Sequence, residues 1–200
     1  RVRILTSSEL ENLTERDADI AIRHVRPDQP DLIARHLGDF RANLFATSDY
    51  LDRVGRPESL RDIADYDFVG NADPERLMAP LHNMGIPVRP DSFVMSSANG
   101  VVAWELVKAG YGVSMLPEAL ADAEPTLERV IADFPTLEFP TWLVTHRELQ
   151  TSRRIRIVFD TLARGLAERL ARQRGPHSSS KIAAPGSGPM ALDGARASKA

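Results

Sequence analysis

An α/β fold of two subdomains joined by two crossover strands is what this sequence predicts, and three observations predict it. Strand-like and helix-like segments alternate along most of its 200 residues, the pattern of helices laid on a mainly parallel sheet. An amphipathic helix over 152–172 is the longest in the chain and comes last, so it packs on a sheet built from earlier residues. Two stretches, 40–47 and 139–145, read as extended, and each separates differently patterned blocks. Strands there leave one subdomain and return to it. The boundaries that follow are 1–44 plus 141–173 for the first subdomain, 45–140 for the second, and 174–200 for a disordered tail.

The elements follow in chain order. Val2, Ile4 and Thr6 alternate with other partners and suggest a short strand, not a signal peptide, because no apolar stretch follows. Ser8 and Glu11 form a capping pair for a helix that ends before Asp17. Asp19 to Arg23 is a short apolar run of the kind a buried parallel strand shows. Pro27 and Pro30 force a loop. Residues 32–37 are extended, Gly38-Asp39 is a turn, and 42–47 is another strand. Short helices follow, one from Ser48 that Gly55 ends and one over 60–64 that Ser59 caps. Residues 66–69 and 88–95 are extended. Apolar side chains at 98, 102, 106 and 109 have helical spacing, and Gly110 stands where a helix C-terminus favours glycine. Strands over 112–116 and 142–145 precede the last helix, whose apolar stripe runs Ile155, Val158, Phe159, Leu162, Leu166, Leu170.

Composition narrows the function classes. The chain has no cysteine, so a disulfide scaffold, a thiolate metal site and a cysteine nucleophile are excluded. No apolar run reaches the length of a membrane span, and no membrane partner is expected. The net charge is −3, and residues 174–200 carry +3 of charge, which leaves −6 on 1–173. An acidic body argues against a broad phosphate-binding surface. The five histidines, His24, His36, His82, His146 and His177, lack metal-ligand spacing, so no metal or cofactor is expected. There is no GxSxG, no Walker A, no GxGxxG after a strand and no HExxH; the sequence does not read as an enzyme.

Four stretches together carry a family resemblance. RDADIAIR (16–23) resembles the (D)xDLAIR stretch of LysR-type effector domains, and LIARHLG (32–38) the LxARxLG that follows it there. FATSDYL (45–51), with GRP at 55–57, is similar to the family's xxAxPxYLxxxGxP, with Ser48 where the family has proline. WELVKAGYGVSMLP (104–117) resembles xAGxGIxxLP. Each motif is weak alone, but all four occur in family order at suitable spacing. The resemblance implies a type II periplasmic-binding-protein-like fold, with a small-molecule effector held between two α/β lobes, in a cytoplasmic regulator that acts as a homodimer or homotetramer. DNA would be reached only through a winged helix-turn-helix. Nothing in these 200 residues resembles that module, nor the strand and helix with which the family's effector domain opens. An exposed sheet edge, poor solubility or a partner is the expected consequence. A solute-binding protein of a transport system would share the same fold and cleft.

Candidate effector-binding residues cluster at strand ends, where ligands of open α/β sheets sit. Ser97 and Asn99 lead into the helix over 98–109, whose N-terminal amides and dipole favour a carboxylate; capping alone is the alternative. Arg23 aligns with a family position that often touches effector, and its guanidinium suits a carboxylate. A surface ion pair with Asp17, Asp19 or Asp28 is its other reading. Thr6 has a similar family position. Asn71 ends a strand, as a ligand donor or a plain turn residue. His24 lies on the same rim, as a contact or a solvated loop residue. Trp104 and Trp142 fit core or interface better than ligand stacking.

Overall fold

The computed structural model describes residues 1–6, 18–71, 75–172 and 182–183. The helix expected from Ser8 and most of the expected tail lie outside them. Residues 1–6 form no strand, and Val2 and Ile4 are exposed, so the alternation there is not used for pairing among the described residues.

The larger sheet is built around two long strands. β1 (Ile20–Arg23), β2 (Leu32–Thr47) and β7 (Leu137–His146) lie with β7 in the middle, and β2 continues through β5 (Ser114–Pro117) and β6 (Leu127–Arg129). β2 and β7 run antiparallel, from Leu32 opposite His146 to Ala42 opposite Leu137. β1, β5 and β6 also join antiparallel. The expectation of a mainly parallel sheet therefore fails for this layer. The reason is topological: β2 runs out of the first half of the molecule and β7 runs back, so the connecting strands must oppose one another. The expected turn at Gly38-Asp39 is instead an irregularity inside one continuous strand. Gly38 has φ 137°, a backbone state that favours glycine, and the strand absorbs the kink without ending.

Parallel pairing survives in the smaller sheet, where β3 (Phe68–Asn71) lies beside β4 (Phe93–Ser97) and Phe68 bridges to Val113. α3 (Gly100–Lys108) packs on it, α1 (Ser48–Val54) and α2 (Glu75–Asn83) share an apolar cluster with its Phe68, and α4 (Glu118–Ala121) packs on β2 and β5 of the larger sheet. α1 starts at Ser48, as expected, because Thr47 caps it and accepts a hydrogen bond from Tyr50 N, 3.2 Å away. The helix ends at Gly55, φ 93°. The expected second short helix is a 3-10 turn at Asp62–Asp65.

Three apolar clusters fill the interior. One joins Leu44, Tyr50, Leu51, Ile63, Phe68 and Leu81; a second joins Phe45, Val69, Ala103, Val107 and Leu116. The third lies under α5 (Arg153–Arg172), where Phe159, Ala163 and Leu170 meet Leu37 and Leu143. α3 turns Ala103 and Val107 inward and leaves Val101 and Val102 exposed, so its buried face is rotated from the one its 98, 102, 106 spacing suggests. Of the tail, Ile182–Ala183 form β8, parallel to Leu137–Glu138. That pair departs from a wholly unstructured 174–200.

Candidate functional site

The parallel pair of β3 and β4 ends in polar residues. Asn71 sits directly opposite Ser97 in the ladder. Gly70 makes that closeness possible, since a Cβ there would come within 2.8 Å of the Phe93 ring. The chain then turns into α3. Ser97 Oγ accepts from Asn99 N at 3.1 Å, and Asn99 Oδ1 accepts from Val101 N at 2.9 Å. Asn99 is thus the helix N-cap. Ala103 and Val107, packed on Phe45, Val69 and Leu116, fix the direction in which the first turn of α3 points. The result is a polar rim of short donors and acceptors at the positive end of a helix, suited to a carboxylate.

The remaining candidates stand elsewhere. Arg23 closes β1 opposite Trp142, whose indole meets the His36 ring at 4.8 Å and the Arg26 guanidinium at 5.6 Å. Arg23 is half-buried, and burial lowers its pKa, although a guanidinium keeps its charge in a protein. It belongs to the larger sheet, whereas Asn71 and Ser97 belong to the smaller one. His24 lies against Phe40, ring centroids 5.4 Å apart. Lost hydration lowers its pKa, partly offset by its hydrogen bond to the Pro140 carbonyl. Thr6 is in the exposed segment 1–6. Asn71 and Ser97 are therefore ladder partners and Ser97 is hydrogen-bonded to Asn99, whereas Arg23 and His24 stand at the larger sheet.

His24 lines a hollow of about 750 Å³ between α4, α5 and the large sheet. Ile22, Phe40, Leu166 and Leu170 give it an apolar floor, and Thr141, Arg41 and Glu118 stand in its wall. Glu118 is 5 % exposed. Its Oε1 accepts from Thr136 Oγ1 at 2.8 Å, Arg129 Nη1 at 2.9 Å and Asn43 Nδ2 at 3.4 Å, while Arg41 Nε lies 3.3 Å from Oε2. Burial works against its charge, but the Thr136 hydroxyl and the Arg129 and Arg41 guanidinia outweigh that and hold its pKa below the usual value. Sequence reasoning missed this group, because its members are scattered over β2, β6, the approach to β7 and the start of α4. The one local signal was an acidic residue opening a helix straight after a strand.

Among the described residues, no group of three or more histidine, aspartate or glutamate side chains is placed to hold a metal. No helix there is long and apolar enough to cross a membrane.

Comparison with known proteins gives one consistent result. The family model described as LysR substrate binding domain matches residues 1–167. The HTH-type transcriptional regulator CrgA of Neisseria meningitidis serogroup C (strain 8013) is 30 % identical over 176 residues, 85 % of this chain and 58 % of that protein. The chain thus spans little more than half the length of the curated relatives it matches. The structure of CrgA superimposes with a TM-score of 0.67 at 28 % identity, covering 80 % of this chain and 56 % of that one. The separate CrgA regulatory domain gives 0.63 at 27 % identity, covering 80 % and 81 %. The effector domain of AmpR from Pseudomonas aeruginosa shares the fold at 14 % identity, with a TM-score of 0.64 and coverage of 82 % and 80 %.

Proposed function

Because the chain belongs to the LysR substrate binding domain family, we propose that it is the effector-sensing part of a LysR-type transcriptional regulator and takes a small carboxylate-bearing metabolite between two lobes. The observation that carries the site is the rim at the start of α3, where Ser97 accepts from Asn99 N and Asn71 stands opposite Ser97 in the ladder. Arg23 supplies the counter-charge from the other lobe when the two close on a ligand.

The lobes in this reading are 1–44 with 141–173, and 45–140. The separation of the Leu143–Phe159 cluster from the two clusters in the other half supports the division. Closure biases a homodimer or homotetramer whose DNA contact is made by a winged helix-turn-helix outside this sequence. The reading assigns the chain no catalysis and places it in the cytoplasm, with the DNA it regulates. The transcriptional-regulator relatives support that role.

A thermal-shift screen of small organic acids tests the reading. An acid that binds the folded state at a concentration of about 100 Kd adds ~2.7 kcal/mol to its stability, a clear rise in Tm. Ser97→Ala and Arg23→Ala are each expected to shrink that rise. A rise of wild-type size in both variants would remove the rim as the site.

A further inference from the structure

The hollow beside α5 shares none of its lining with the rim residues Asn71, Ser97 and Asn99. We propose that it is a second ligand site, for an amphipathic organic anion with a compact apolar body. Its volume of about 750 Å³ lies within the range of small-molecule sites, ~300–1,000 Å³. The floor of Ile22, Phe40, Leu166 and Leu170 comes from β1, β2 and α5 and offers hydrocarbon, not hydrogen bonds, to an occupant. It selects an apolar body.

Two polar observations select the other end of the ligand. Thr141 is 95 % buried, yet its hydroxyl finds no hydrogen-bond partner among the described residues. Buried hydroxyls are almost always partnered, and Thr141 is part of the hollow's wall. An occupant's polar end would give that hydroxyl the partner it otherwise lacks. The charge comes from Arg169. Arg41, Arg129 and Arg172 also line the hollow, but Glu118, Asp122 and Glu168 already pair with them. Arg169 forms no ion pair among the described residues and stands at the edge of the hollow one residue before Leu170. A carboxylate there has a guanidinium to pair with and its hydrocarbon on the floor.

The position gives such an occupant a consequence. It touches α5 and β1 on one side and α4 on the other, across the two strands that connect the halves. Binding therefore depends on the angle between the halves and biases it. The rim reading is not needed for this site, and Ser97 separates the two.

The test is calorimetric titration of the chain with octanoate, alongside octylammonium, which reverses the charge, and citrate, which lacks the apolar body. Octanoate is expected to bind and the other two are not. Arg169→Gln should weaken octanoate about ten- to a hundredfold, the range for a charge-assisted hydrogen bond. Thr141→Val should weaken it several-fold while raising the Tm of the free chain, because it removes an unpartnered hydroxyl; a purely structural threonine would lower it. Ser97→Ala should leave octanoate affinity unchanged. The proposal is overturned by absence of binding at millimolar octanoate, by equal binding of octylammonium, or by unchanged affinity in both Arg169→Gln and Thr141→Val.

Discussion

Removing the Glu118 carboxylate should destabilise the junction of the two halves more than any exposed charge change. The side chain is 7 % exposed and gathers Arg41 and Asn43 of β2, Arg129 of β6 and Thr136 at the approach to β7. In Glu118→Ala the Arg41 side chain, itself 13 % exposed, stays buried beside a void. Breaking one side of a buried charge pair costs about 3–5 kcal/mol. For a body of this size that is a fall in Tm of roughly 6–20 °C. Glu118→Gln keeps the shape and one acceptor, and should lose about 1.5–3 kcal/mol. The sign of the pH effect follows from the lowered pKa. A carboxyl whose folded pKa is depressed contributes stability above its unfolded value, and that contribution is lost as pH falls through the folded one. The gap between wild type and Glu118→Gln should therefore be full at pH 7 and shrink below about pH 4.3, the unfolded carboxyl value. Urea unfolding at pH 7, 5 and 3.5 reads all three quantities. A Glu118→Ala variant within about 0.5 kcal/mol of wild type, the size of an ordinary surface substitution, would refute the claim that these ion pairs hold the junction.

Three further outcomes are expected. Gly112→Ala should destabilise by at least ~2 kcal/mol, because φ is 154° and the added Cβ would sit 2.3 Å from the Asp67 carbonyl oxygen; chemical denaturation measures it, and a neutral result would mean the loop shifts freely. Arg23→Ala should weaken an effector acid by about 1.5–3 kcal/mol in calorimetry, and unchanged affinity would detach Arg23 from the site. The acidic body should give no salt-dependent retardation of duplex DNA in a gel, and nanomolar binding by this chain would contradict the division of labour proposed for it.

Alternation of elements, the long last helix and the two connecting strands were legible because each is written in local periodicity. The direction of strand pairing was not, since a short apolar run such as Ile20–Arg23 reads alike in parallel and antiparallel ladders. α2 went unread for a local reason: Pro80 lies inside it, and proline normally signals a helix end. The rim of Asn71, Ser97 and Asn99 was legible because strand ends and helix caps are short polar motifs. Glu118 and the hollow were not, because Phe40, Thr141 and Leu170 meet only after the chain has folded back through β7 and α5.

That return path has a consequence for how the chain comes off the ribosome. Every partner of the 45–134 clusters except the returning strand has been synthesised by Phe134, so that half can begin to consolidate early. Leu32 must wait for His146, and Leu37 for Phe159 and Leu170. At ordinary elongation rates that wait is roughly 5–30 s, during which half of the longest strand has no neighbour to pair with. Nascent chains stalled before His146 should therefore be the stage at which chaperones or self-association find this protein most easily.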